Sequence, residues 1–85
     1  MYDIIFSKQS KKFITSLKQG YVSKMKEIFI AMAQNPFSHP YSKIKGEQNQ
    51  YRIRVGKYRI LYEVDQDKKI IMVLKIDDRG HIYKP

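Results

Sequence analysis

The stretch YRIRVGKYRILY, residues 51 to 62, constrains the fold more than any other part of this sequence. Its apolar residues occupy alternate positions on both sides of a Gly-Lys pair: Tyr51, Ile53, Val55, Tyr58, Ile60 and Tyr62. Successive side chains of a strand point to opposite faces, so each half predicts a strand with one apolar face. Gly56-Lys57 predicts a two-residue turn of type II′, which prefers glycine first. The stretch therefore predicts a β-hairpin in which Val55 pairs with Tyr58.

This register places Arg54 directly opposite Arg59 on the other face of the hairpin. Like charges in directly opposed positions destabilise a strand pair by some tenths of a kcal/mol. A bound phosphate removes the conflict, because guanidinium groups bind phosphate bidentately and stop repelling one another around an anion. Alternatively, the arginines splay into water and only keep the sheet soluble. Alternation alone leaves both interpretations open.

The composition limits the chain to one small domain, residues 1 to 85, with a single core. Its 17 lysine and arginine residues outnumber 8 aspartate and glutamate residues and give a net charge of +9. Such an excess favours acidic or phosphate-bearing partners. Charge alone does not choose among RNA, DNA, an acidic protein and an anionic membrane.

Several classes of site are absent from the sequence. The chain has no cysteine, which excludes disulfides, thiolate metal sites and a cysteine nucleophile. Neither histidine lies at metal-ligand spacing from another ligand, and no glycine-rich phosphate loop or familiar hydrolase motif occurs, so we expect no metal and no cofactor. The amino terminus lacks an apolar run long enough for a signal peptide or a membrane span. We therefore expect a soluble, cytoplasmic protein without a membrane partner.

The remaining pattern predicts an α+β fold. Ser7 follows a short apolar run and is suited to cap a helix. Apolar residues at helical spacing then predict two helices, with Gly20 between them. After a proline-containing loop, three runs have strand character. The expected elements are an N-terminal strand, helices over about residues 8 to 18 and 21 to 34, and strands over about 50 to 55, 58 to 64 and 69 to 77. We expect an antiparallel helix hairpin on one face of a mostly antiparallel sheet, and the sheet partner of the first strand stays open.

The segments KIKGEQNQYRIRVGKYRILYEV and KKIIMVLKIDDRGHIYK together resemble the RelE/ParE superfamily of toxins from toxin-antitoxin pairs. The shared features are a hairpin of the form Y-R-x-R-x-G-x-Y-R-x-x-Y and a terminal arginine before I-Y. The resemblance implies a RelE-like fold over nearly the whole chain. It also implies a ribosome-dependent mRNA endoribonuclease that inhibits translation and forms a heteromeric complex with a cognate antitoxin. In such enzymes the ribose 2′-hydroxyl attacks the neighbouring phosphate without a metal.

Carried over by position, the resemblance implies five catalytic residues: Arg52, Arg54, Arg59, Arg79 and Tyr83. Four lysines are expected to extend the RNA-binding surface: Lys43, Lys45, Lys57 and Lys84. Relatives often have a lysine where Arg52 or Arg54 stands, and arginine practically never loses its proton. The resemblance therefore implies that the proton acceptor is Tyr83, His81 or a group of the ribosome. His39, within the loop, is interpreted as structural or neutral.

Two alternatives to the nuclease remain. The ParE branch of the superfamily shares the fold and is associated with inhibition of DNA gyrase by binding, without the RelE catalytic set. The chain could otherwise be an inactive basic domain whose only partner is an acidic antitoxin segment. Changes at Arg59 and Tyr83 distinguish the catalytic hypothesis from both.

Overall fold

Residues 1–78, which a computed structural model describes, form five strands and two helices. The elements are β1 (Asp3–Phe6), α1 (Lys8–Thr15), α2 (Gln19–Gln34), β2 (Ser42–Lys43), β3 (Gln50–Val55), β4 (Tyr58–Asp65) and β5 (Ile70–Asp78). The predicted α+β class and the order of its elements are confirmed. The two-residue strand β2 is an addition that the sequence pattern did not indicate.

The five strands of residues 1–78 form one sheet in the order β1-β5-β4-β3-β2. Strands β3, β4 and β5 pair antiparallel in sequence order, as predicted for consecutive hairpins, and β2 adds a further antiparallel pairing with β3. Strand β1 pairs parallel with β5, from Asp3 opposite Ile70 to Phe6 opposite Val73. This settles the partner that the sequence left open and makes the sheet mixed. Neither helix of residues 1–78 has the length and apolar character needed to cross a membrane.

The hairpin between β3 and β4 has the predicted turn and register. Gly56 has a φ of +60°, whereas Lys57 is not in the left-handed region, which is the combination of a type II′ turn. Val55 pairs with Tyr58 and Arg54 with Arg59. The prediction that two arginines oppose each other is therefore confirmed.

A β-bulge interrupts the pairing of β4 with β5. Leu61 pairs with Lys75, but the next residue, Tyr62, pairs with Val73, so Leu74 is an extra residue on β5. A bulge inserts one residue and thereby changes which side of the sheet the following residues face. Val73 consequently faces the core, while Lys75 shares the open face with Leu61.

The core lies between the helices and one face of the sheet. Its buried apolar residues are Met25, Phe29, Met32, Tyr51, Ile53, Val55, Tyr58, Ile60, Tyr62, Val64, Ile71, Val73 and Ile76. All six alternating apolar positions of the hairpin belong to this set, as predicted. Each such side chain contributes about 1.5–3 kcal/mol through burial, so the core fixes which face of the hairpin turns inward. The arginines are thereby directed to the opposite face.

The helix boundaries differ from the prediction at the connection. Ser7 caps α1 as expected, with its Oγ accepting a hydrogen bond from the backbone N–H of Ser10 at 3.1 Å. Helix α1 ends at Thr15, three residues earlier than predicted, and Lys18 is extended. Gly20 lies in the first turn of α2 instead of separating the helices. A glycine near a helix start is tolerated, because few helical hydrogen bonds depend on that position.

Candidate functional site

The face of the sheet that points away from the helices carries several rows of cross-strand neighbours, of which the two nearest the hairpin turn hold the arginines, while a third, from Gln50 through Glu63 to Met72, lies further from the turn. One arginine row runs from Arg54 through Arg59 to Asp77, and the other runs from Arg52 through Leu61 to Lys75. We call the surface of these two rows the arginine face and define it by their six residues. Directly opposed side chains on a sheet have Cβ atoms about 5 Å apart. The three predicted hairpin arginines are therefore brought together on one surface.

The charges of the arginine face are mostly positive. The two rows hold four positive side chains and one carboxylate, a net charge of +3. Arg54 is exposed, and Arg59 is half-buried. Asp77 lies opposite Arg59, and its Oδ2 is 3.4 Å from Nζ of Lys75. A single carboxylate offsets part of the repulsion, and the excess charge remains available to an anion.

A shallow depression of about 250 Å³ lies in the middle of the arginine face. Its lining residues are Ile44, Arg52, Arg59, Leu61, Lys75 and Asp77. Three cationic side chains thus surround a concave, partly apolar surface. Such cations can bind a phosphate and stabilise negative charge that develops on it during a reaction.

A second depression, of about 310 Å³, adjoins the first at Arg52. Its lining residues are His39, Pro40, Tyr41, Ser42, Arg52 and Arg54. The sequence pattern had indicated only a structural or neutral role for His39, yet this imidazole lines a depression together with two of the predicted catalytic arginines. Two consecutive cavities with a shared arginine can accommodate more than one unit of an extended polyanion.

The loop that carries His39 is held by the core. The Tyr62 hydroxyl donates a hydrogen bond to the carbonyl oxygen of Pro36 at 3.0 Å. The Phe37 ring packs edge-on against the Tyr51 ring, with 5.1 Å between their centroids. Burial raises the pKa of Tyr62 to about 12, so this phenol stays protonated near neutral pH and serves as a structural donor.

Two of the predicted RNA-binding lysines, Lys43 and Lys45, line neither depression of the arginine face. Lys43 is opposite Tyr51, whose ring faces the core, so Lys43 belongs to the helix side of the sheet. Lys45 is exposed in the connection that follows β2. The structure therefore does not group these lysines with the hairpin arginines.

Lys57 also lies toward the helix side, at the tip of the hairpin. Its Nζ is 5.4 Å from the centre of the Tyr58 ring, 5.6 Å from that of the Tyr21 ring and 3.7 Å from Oδ2 of Asp78. The Tyr58 phenol, and next the Asp78 carboxylate, raise the pKa of Lys57. This lysine is permanently charged near neutral pH and packs against aromatic rings.

Four residues of the predicted site fall beyond the part of the chain that the structure describes. Arg79, Tyr83 and Lys84 were expected to act in catalysis or RNA binding, and His81 was an alternative proton acceptor. All four lie outside residues 1–78. Within that range, no three histidine, cysteine, aspartate or glutamate residues cluster as a metal site would require.

A separate apolar groove lies on the helix side of the molecule. It has a volume of about 660 Å³ and is bordered by α1, α2 and β1. Apolar side chains such as Ile14 and Phe29 form its walls, while Lys11 and Lys26 also line it. Ile30, another lining residue, is 54% exposed. A large exposed apolar surface with basic neighbours is typical of a site for another protein chain.

Residues 4–83 match the family described as the ParE toxin of type II toxin-antitoxin system, parDE. The RelE1 protein of Methanocaldococcus jannaschii is 30% identical over 86 residues, which cover 98% of this chain and 96% of that protein. A chain of the archaeal RelE-RelB complex from Pyrococcus horikoshii OT3 aligns with a TM-score of 0.79 and 27% identity, covering 93% of this chain and 96% of that chain. A chain of the RelB-RelE antitoxin-toxin complex from Methanococcus jannaschii aligns with a TM-score of 0.70 and 34% identity, covering 93% and 94%. These matches extend over nearly the whole sequence, and the chain therefore belongs to the RelE/ParE superfamily of type II toxin-antitoxin toxins.

Proposed function

We propose that this toxin is a ribosome-dependent endoribonuclease that cleaves mRNA and thereby stops translation. The observation that carries the proposal is the convergence of Arg52, Arg54 and Arg59 on one open face of the sheet. A bound phosphodiester gives Arg54 and Arg59 a shared counter-ion and so offsets the repulsion built into the hairpin. Residues 1–85 act as one toxin domain in the cytoplasm.

The reaction is attack of a ribose 2′-hydroxyl on the adjacent phosphorus. The bond to the 5′ oxygen breaks, which leaves a 2′,3′-cyclic phosphate and a 5′-hydroxyl. Arg59, in the central depression, binds the scissile phosphate, and Arg52 and Arg54 stabilise the negative charge of the phosphorane. Arg79 and Tyr83 complete the site from the carboxy-terminal segment. No metal is needed, because the arginines supply the positive charge.

The mRNA follows the basic surface around the arginine face. Lys45 and Lys84 bind backbone phosphates further along the mRNA. Lys43 and Lys57, on the helix side of the sheet, contact ribosomal or messenger RNA that passes the sheet edge. Such contacts contribute affinity that depends on salt and carries little sequence preference.

A cognate antitoxin neutralises the toxin by binding to it. Support comes from two of the similar structures, which are complexes of RelE with RelB. The apolar groove between α1, α2 and β1 suits an antitoxin segment with an apolar face, and Lys11 and Lys26 favour acidic residues at its margins. Replacing the exposed Ile30 with glutamate should weaken the complex by placing a carboxylate in this apolar surface.

The test is incubation of purified toxin with translating ribosomes that carry a defined mRNA, followed by mapping of the new 5′ ends. A discrete cut in the decoding site is expected with the wild type and with Lys24→Ala, a charge-matched control in α2. Arg59→Ala should abolish the cut. Prior chelator treatment of the toxin should change nothing, provided that the ribosomes are kept intact by other means.

Intact mRNA on active ribosomes would overturn the proposal. A DNA gyrase supercoiling assay would then test the ParE-like activity. If the supercoiling assay were also negative, antitoxin binding would remain as the activity of the domain. Together, these assays distinguish the three functions considered for this sequence.

A further inference from the structure

Cleavage by 2′-hydroxyl attack requires a group that accepts the hydroxyl proton. The hairpin arginines cannot do so, because guanidinium groups stay protonated in proteins. Tyr62 is fully buried, its hydroxyl is bound to Pro36, and its raised pKa removes it from consideration. His39 is the only histidine among residues 1–78. An imidazole is the side chain that most readily exchanges a proton near neutral pH.

The position of His39 fits this role. It lines the same depression as Arg52 and Arg54, and Arg52 also lines the adjacent depression that contains Arg59. In RNA the 2′-hydroxyl is on the carbon next to the one that bears the 3′ oxygen of the scissile phosphate. With that phosphate at Arg59, the ribose on its 3′-oxygen side can extend past Arg52 into the depression that His39 lines.

The neighbouring residues leave one imidazole nitrogen available. Nδ1 of His39 lies 3.1 Å from Oγ of Ser38. When Nδ1 donates its proton to that hydroxyl, Nε2 carries a lone pair and can accept a proton. The side chain is half-buried, and the loop is anchored through Pro36 and Phe37. The Ser38 hydrogen bond favours one orientation of the imidazole, and the anchors at Pro36 and Phe37 hold the backbone that leads to it.

We propose that His39 is a catalytic residue and accepts the 2′-hydroxyl proton through Nε2. As the proton moves to Nε2, the 2′ oxygen forms its bond to phosphorus and the 5′ oxygen leaves with its electron pair. Water protonates the leaving oxygen, and solvent later removes the proton from His39. The groups that face the imidazole are the Arg52 and Arg54 guanidiniums of β3 and the hydroxyls of Ser38, Tyr41 and Ser42. This inference rests on the proposed nuclease function.

The test is the single-turnover cleavage rate on saturating programmed ribosomes, measured for His39→Gln and His39→Ala. General base catalysis contributes about 10²–10⁴-fold, so each variant should lose at least about 100-fold in rate. Gln66→Ala, an exposed position in the β4-β5 turn, is the control and should cleave at the wild-type rate. Thermal unfolding of each variant establishes that the fold is intact.

Two further measurements separate a base from a residue that only binds or positions RNA. The wild-type rate should decline on the acidic side of its pH profile, where a general base gains a proton, and His39→Gln should lack this decline. Added imidazole should restore part of the rate to His39→Ala and leave His39→Gln unchanged. If the wild type cleaves mRNA and His39→Ala cleaves it at the same rate, the role of His39 is overturned and the proposed nuclease function stands. A slow variant with the wild-type pH profile and no rescue would also overturn it, whereas absence of wild-type cleavage would overturn the proposed function.

Discussion

Arg54 and Arg59 occupy directly opposed positions across the β3-β4 hairpin, and Asp77 lies on the far side of Arg59. The apolar side chains on the other face of the same hairpin are all buried in the core. A register that turned the two arginines inward would expose those apolar side chains to water. A fold that keeps this pair retains an electrostatic cost in the free protein. The cost is consistent with a surface whose charges are placed for an anionic ligand.

Removal of one member of the pair should stabilise the free protein. Arg54→Gln is expected to raise the free energy of unfolding by about 0.2–1 kcal/mol, because it ends a like-charge cross-strand contact. The gain should shrink at high salt, where exposed charges are screened. Urea unfolding at low and high ionic strength measures both effects. The control Lys68→Gln removes one positive charge from an exposed turn, and an equal gain there would show that net charge alone is responsible.

The glycine of the hairpin turn should be required for its backbone conformation. Gly56 has a φ of +60°, and a Cβ added to it would meet no atom within 4 Å, so the cost of Gly56→Ala is purely conformational. A loss of about 1–2 kcal/mol is expected. Gly20 has equal space without a left-handed φ and lies in the first turn of α2, so Gly20→Ala should be neutral or stabilising. Chemical denaturation measures the free energy of unfolding of both variants. An equal loss of stability in Gly56→Ala and Gly20→Ala would contradict the role assigned to the left-handed φ of Gly56.

Tyr62 should make stability decrease in alkaline solution. Its pKa is about 12 in the folded protein against an ordinary value of about 10, so the folded state holds the proton more tightly. The resulting stabilisation is complete below pH 10 and is lost as pH rises from about 10 to 12. Tyr62→Phe should lose about 0.5–1.5 kcal/mol at neutral pH, because the Pro36 carbonyl loses its donor.

Denaturant unfolding of the wild type and Tyr62→Phe between neutral and alkaline pH provides the check. The difference between the two proteins isolates Tyr62 from the other ionising side chains. The stability advantage of the wild type over Tyr62→Phe should shrink as pH rises, because only the wild type has a phenol that ionises at this position. A difference that stays constant up to pH 12 would contradict the assigned role of burial.

The hairpin could be predicted from sequence because its information is local. Gly56 and the alternation on either side of it determine the turn, the register and the inward face within twelve residues. The same holds for Ser7, whose capping role depends on the next few residues. The partner of β1 was not predictable in this way, because the parallel pairing with β5 joins opposite ends of the chain.

Much of the candidate site depends on contacts that are distant in sequence. Simple alternation along β5 places Val73 and Lys75 on the same face, but the bulge at Leu74 separates them and adds Lys75 to the arginine face. His39 reaches the site because Tyr62 binds Pro36, a contact between residues 26 positions apart. Neither the bulge nor this anchor has a local signature, so the sequence indicated the arginines and missed their neighbours.

Lys75 should be an RNA-binding residue that the bulge brings to the arginine face. Its neighbours in the central depression include Arg52 and Arg59, and an RNA phosphate there would compete with Asp77 for its ammonium group. Lys75→Ala should weaken binding of a single-stranded RNA oligonucleotide and reduce the slope of log affinity against log salt by about 0.7, the value for one phosphate contact. Lys24→Ala, on α2, removes the same charge far from this surface and should leave the slope unchanged. Fluorescence anisotropy titrations across a range of salt concentrations measure both slopes, and equal decreases would mean that the RNA responds to total charge and not to the arginine face.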